Sequence, residues 1–264
     1  MDILTNFLSQ IVFTVGVVVL FGFLIGLCRR AFCKIVGRMG TVILLITGII
    51  GTPIHELSHA FMCLVFGHRI EEIKLYDPDT DSGTLGYVNH SYNERNLYHQ
   101  IGNFFIGIAP VLGGSGVLLL LMLFMTPDIH TSVIGEFGLS AGFSISGFFE
   151  AWWNIIKYVF DFDNMSSGLW WLFIILAISI SSHMELSGAD IIGSAKGFSF
   201  LAAVLLIVDV ILYFISIDAL ETVTSAMTSF SLALSTFLAL SLIFLLAMLL
   251  VALIIKGIGA LIFH

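Results

Sequence analysis

The pattern His55-Glu56-Leu57-Ser58-His59 lies inside an apolar run, residues 41–66, long enough to cross a bilayer as a helix. No other feature restricts the chain as much. In a helix His55 and His59 are one turn apart and project from the same face, where two imidazoles can share a metal ion. Glu56 stands beside them, placed to work on a metal-bound water. Imidazoles and a carboxylate are costly in hydrocarbon unless they coordinate or pair, which argues against the alternative of two merely structural histidines in a helix.

The composition agrees. With 58% hydrophobic residues, 11% charged residues and a mean hydropathy of +1.07, the 264-residue chain is far too apolar for an ordinary soluble domain. We expect a single integral membrane domain, residues 1–264, embedded in a lipid bilayer. The net charge of −8 is carried by few residues, most of them in connecting segments, and the chain has no basic cluster of the kind that binds nucleic acid, which is excluded as a partner. Cys28, Cys33 and Cys63 are odd in number and two of them flank a basic run, which argues against a disulfide framework. The opening Met1-Asp2 lacks a positive leader, and its apolar run, residues 4–27, reads as a retained helix.

Measured against bilayer thickness, the apolar runs give an all-α polytopic membrane protein with about six transmembrane helices. Arg29, Arg30, Lys34 and Arg38 follow the first span and mark a cytoplasmic loop. The second span, 41–66, carries the histidine pair, with Gly48, Gly51 and Pro53 interrupting it before His55. Residues 67–99 turn polar: Ile70, Ile73 and Leu75, then Leu85 and Tyr87, alternate around an acidic turn, giving a small β-hairpin or edge strand near the site. Such an edge can hold an extended ligand or be a plain surface hairpin. Asp77, Asp79 and Asp81 alternate like a calcium loop but lack its later glycine and glutamate.

The third run, 101–125, opens with Asn103 and is dense in glycine, which lets another backbone approach, so we expect it to pack on the histidine helix. Asn103 is a candidate for substrate binding or a helix cap. Residues 126–167, with Trp152, Trp153, Lys157 and Tyr158, read as an interfacial helix or short hairpin. A shorter apolar run, 169–182, leads into a distal segment, 181–192, where His183, Glu185 and Asp190 stand at its edge; Glu185 is expected to face solvent. Two further spans, 199–217 and 231–255, are separated by the acidic connection Asp218 to Glu221.

From His55 to Tyr76 the chain resembles the site-2-protease-like intramembrane zinc metalloproteases. His-Glu-Leu-Ser-His-Ala running through Phe-Gly-His-Arg-Ile-Glu-Glu-Ile-Lys-Leu-Tyr is similar to that family's metal helix and first surface strand. Gly107-Ile108-Ala109-Pro110 is similar to its Gly-Pro motif, with alanine for the glycine, and Asp190 falls where its Asp-Gly motif supplies a third ligand, with Ile191 for the glycine.

The resemblance implies a bacterial cytoplasmic-membrane enzyme with one Zn²⁺ on His55, His59 and a third group, Asp190 or His183, the latter alternatively donating to an oxyanion. Glu56 would be the general base in hydrolysis of a peptide bond in or near a transmembrane segment of a membrane-protein substrate. Two alternatives stay open: a membrane zinc hydrolase acting on a small or lipid-linked compound, and a non-catalytic membrane complex subunit. A regulatory membrane partner or a homo-oligomer is compatible with either, since no regulatory domain is visible in the sequence.

Overall fold

The computed structural model describes residues 3–79, 84–136 and 145–262; Asp81, and with it the reading of an aspartate loop, lies outside them. The protein is an all-α membrane protein with one small hairpin. Among the described residues, five helical segments are long and apolar enough to cross a membrane: Ile3–Val36, Arg38–Val65, Leu97–Met125, Gly188–Ile215 and Phe237–Ile258, with Gly168–Ser181 a shorter apolar helix. In chain order the helices are α1 (Ile3–Ile11), α2 (Val17–Val36), α3 (Arg38–Val65), α4 (Leu97–Met125), α5 (Pro127–Glu136), α6 (Ile145–Val159), α7 (Gly168–Ser181), α8 (Gly188–Ile215) and α9 (Ile217–Ile262). Strands β1 (Arg69–Lys74) and β2 (Tyr87–Ser91) lie between α3 and α4.

Helix α3 organises the bundle. Its buried residues include Gly40, Leu44, Gly48, Thr52, Glu56, His59 and Cys63, a stripe at helical spacing, while Ile46, Ile49, Leu57, Phe61 and Leu64 are exposed. One face is therefore turned to protein and the other is apolar enough for lipid. The helix does not break at Gly48, Gly51 or Pro53, as the sequence suggested. Gly51 instead lets α7 press close: a β-carbon there would collide with the Ser179 carbonyl and lie 2.6 Å from Nδ1 of His183.

The glycine-rich helix α4 packs on α3, as expected, and also runs along α8. At Gly107 a β-carbon would sit 2.5 Å from the Asp190 carbonyl and would overlap the Ser194 hydroxyl, so the bare backbone admits the start of α8. In the 126–167 segment the helices α5 and α6 pack against each other, and Glu136 accepts from Asn154 at 3.1 Å and from Tyr158 at 3.3 Å. Ile129, Val133, Ile155 and Val159 are buried in the common core, so this segment is part of the bundle.

Two differences from the sequence reading concern helix ends. The acidic stretch Asp218 to Glu221 is helical, in the first turns of α9, because the chain turns at Ser216 instead. Glu185 does not face solvent: its carboxylate takes Arg29 at 2.6 Å and Arg30 at 2.9 Å. The basic run thereby clamps the segment between α7 and α8, since two guanidinium groups offset the cost of partly burying one carboxylate.

Candidate metal and substrate site

The first two residues of the site come from the α3 stripe. His55 donates from Nδ1 to the His183 carbonyl at 2.7 Å, and His59 donates from Nδ1 to the Ile106 carbonyl at 2.7 Å. A carbonyl can only accept, so both protons sit on Nδ1 and, in the neutral rings, both Nε2 atoms carry lone pairs. Those two Nε2 atoms face each other at 3.1 Å. Two lone pairs at that distance repel, so the pair requires a positive charge between them, either a proton on one ring or a metal ion.

Asp190 comes from α8. It is the third residue of α8, and a capping box fixes it: the Ser187 hydroxyl accepts from the Asp190 amide at 3.1 Å, and the Ser187 amide donates to Asp190 Oδ2 at 2.7 Å. The carboxylate then points at both rings, with Oδ1 3.2 Å from His59 Nε2 and Oδ2 3.8 Å from His55 Nε2. Ligand atoms on a tetrahedral zinc with bonds near 2.0–2.1 Å stand about 3.3 Å apart, close to the 3.1 Å between the two Nε2 atoms and the 3.2 Å from His59 Nε2 to Asp190 Oδ1, so the three groups could hold such an ion. Carbonyls that orient the far ring nitrogens are also the usual companions of metal-bound histidines.

A cavity of about 390 Å³ opens onto this triad. Glu56, 5% exposed, lines it beside His55 and His59. Asn103, from α4, also lines it, and its buried Nδ2 has no hydrogen-bond partner among the described residues. Gly86, Tyr87, Val88, Asn89 and His90 line it consecutively. Side chains of a strand alternate between faces, so an unbroken run at the wall means that the edge of β2 faces the cavity. The other edge is taken by β1 in an antiparallel register that pairs Ile73 with Val88 and Lys74 with Tyr87. Gly86 brings this edge over the general-base candidate: a β-carbon there would lie 3.0 Å from Glu56 Cγ and 2.7 Å from the Lys74 carbonyl.

His183 has a different part from either role considered for it. It is absent from the cavity wall; its ring contacts the Ser179 carbonyl at 2.9 Å, the Ser182 hydroxyl at 3.0 Å and the Leu44 carbonyl at 3.2 Å. Residues 182–187 are not helical, so His183 and Asp190 do not share a face. What His183 offers the site is its backbone carbonyl, which holds His55. The sequence reading missed this, and it missed Ser187, although the spacing Ser187-x-x-Asp190 is a capping signal readable from residues alone. It also missed Asp209, a second buried carboxylate within a span, which accepts from Gln10 at 3.0 Å.

Compared with models of protein families, with curated proteins and with solved structures, the chain matches none.

Proposed function

We propose that the protein is an intramembrane zinc peptidase that hydrolyses a peptide bond in or near a transmembrane segment of a membrane-protein substrate, in a bacterial cytoplasmic membrane. The observation that carries this reading is the convergence of His55 Nε2, His59 Nε2 and Asp190 beside Glu56, on a cavity bordered by a strand edge. His55, His59 and Asp190 would hold the ion, a three-ligand set that leaves room for water or substrate, as catalytic zinc sites do and structural ones do not. The chemistry such an ion supplies when bound is Lewis acidity toward the scissile carbonyl and toward the attacking water.

The remaining work falls to this chain's side chains and backbone. The Glu56 carboxylate takes the proton of the attacking water and later delivers it to the departing amine. The edge of β2 pairs with the substrate main chain and holds it extended, which requires a locally unwound helix and favours a peptide over a small lipid-linked compound. Asn103 Nδ2 donates to a substrate carbonyl, supplying the partner that this buried amide lacks.

The test is Glu56→Gln, compared with wild type for fragments of membrane proteins in cells and for zinc content after purification. Cleavage should fall by about 10²–10⁴-fold, the usual contribution of a positioned general base, while zinc stays bound. His55→Ala should lose cleavage and the zinc of the His55, His59 and Asp190 centre alone. Undiminished cleavage in Glu56→Gln would falsify the assignment.

A further inference from the structure

A second set of metal-ligating side chains lies at the C-terminal end of α3. Gly67, with φ of +71°, closes the helix in the left-handed region: the His68 amide donates to the Cys63 carbonyl at 2.8 Å and the Gly67 amide to the Leu64 carbonyl at 3.3 Å. This closure sets the residue after the glycine against the residue five before it, a place where two apolar side chains ordinarily meet. Here the pair is the Cys63 thiol and the His68 imidazole, both buried. The hairpin adds His90, which stands opposite Ile70 in the register.

The ligand atoms of Cys63, His68 and His90 all lie within 4.8 Å of one another. His68 donates from Nε2 to the His99 carbonyl at 2.9 Å, so its neutral ring presents a lone pair at Nδ1. That nitrogen faces Nδ1 of His90 at 3.1 Å, close to the spacing of two ligands on one tetrahedral ion. Tyr92 stacks on the His68 ring with centroids 4.7 Å apart, fixing its plane. The far nitrogen of His68 is thus held by a carbonyl and its near nitrogen is turned to a thiol and a second imidazole, the arrangement in which bound histidines are oriented.

We propose that Cys63, His68 and His90 form a second metal site, separate from the His55, His59 and Asp190 centre, for a divalent ion of the zinc type. One thiolate and two imidazoles suit zinc or cobalt and offer none of the oxygen ligands that magnesium and calcium require. Binding forms a bond to Cys63 Sγ and releases the thiol proton to solvent. Because His90 also borders the substrate cavity, the ion ties β2 to the end of α3 and fixes the strand edge that passes over Glu56.

Cobalt(II) tests this on the purified full-length protein after chelation of bound metal, because only a sulfur ligand gives an intense near-ultraviolet thiolate-to-cobalt absorption and the His55, His59 and Asp190 centre has none. The absorption should appear in wild type, persist in His55→Ala, vanish in Cys63→Ser and in His90→Ala, and be bleached by added zinc. Cys28 and Cys33 remain in both of the latter variants and serve as internal controls. No sulfur absorption in wild type, or absorption that survives Cys63→Ser or His90→Ala, overturns the proposal. Retention in His55→Ala keeps the outcome independent of the peptidase reading.

Discussion

Gly107→Ala is the substitution that most directly tests whether helix contact assembles the proposed zinc centre. The added β-carbon would lie 2.5 Å from the Asp190 carbonyl oxygen, and it would also overlap the Ser194 hydroxyl. Carbon and oxygen atoms out of bonding contact rest at about 3.5 Å, so α4 and the start of α8 must separate by about 1 Å. The hydroxyl can rotate away, but the carbonyl belongs to the backbone of Asp190 itself and carries the carboxylate with it. Overpacking of this kind costs about 1–3 kcal/mol in stability, which leaves the bundle folded. Catalysis is more sensitive, since a displacement of about 1 Å at a reacting centre costs on the order of 10²-fold in rate. The assay pairs zinc affinity, by competition with a chromophoric chelator, with cleavage of a membrane-protein substrate. Gly116→Ala is the control, on the same helix, where a β-carbon would meet nothing within 4 Å. Wild-type zinc affinity in Gly107→Ala, or equal damage from both substitutions, would refute the reasoning.

Gly86→Ala should slow cleavage with zinc retained, because its β-carbon crowds Glu56 Cγ at 3.0 Å and leaves the metal ligands alone; metal analysis beside a cleavage assay reads the split. Asn103→Ala should raise KM for an extended peptide more than it lowers kcat, as expected for a donor that binds the main chain; equal kcat/KM in variant and wild type would remove the amide from the substrate's contacts. Glu185→Ala should lower stability by about 1–2 kcal/mol, between the values for exposed and buried ion pairs, since its carboxylate is only partly buried; thermal unfolding in detergent measures it. In the hairpin, Asp77 holds the Lys74 ammonium above its ordinary pKa, and Glu72 does the same for the Tyr87 hydroxyl. A raised folded-state pKa stabilises below the unfolded value and is lost as pH rises through the folded one, so protection of β2 amides from hydrogen exchange should hold at neutral pH and fall above about pH 10.

Much of the membrane architecture was legible because bilayer thickness and the 3.6-residue period act on the sequence locally. The apolar spans and the hairpin around residues 67–99 needed no knowledge of partners. The continuity of α3 through Pro53 was not legible, since a proline breaks a helix only if neighbours fail to accommodate it. Nor were the parts played by His183 and Glu185. A backbone carbonyl carries no sequence signature, and an ion pair between residues 29 and 185 depends on how α2 meets the segment before α8. His55, Glu56 and His59 were found from spacing alone, whereas Asp190 needed the resemblance, because a long-range ligand has no fixed distance in sequence from its partners.

Helix α8 buries only Gly197 and Asp209 along its length and presents Ile207, Ile211, Phe214 and Ile215 outward. The carboxylate that completes the triad thus rides on a peripheral helix, while the imidazoles ride on an interior one. In a bilayer, acyl chains would bear on this outward face of α8 and so on the contact between the two halves of the proposed centre. If the proposed zinc centre works here, a detergent micelle that relaxes this pressure should cost turnover before fold, which assays in liposomes of graded thickness would measure.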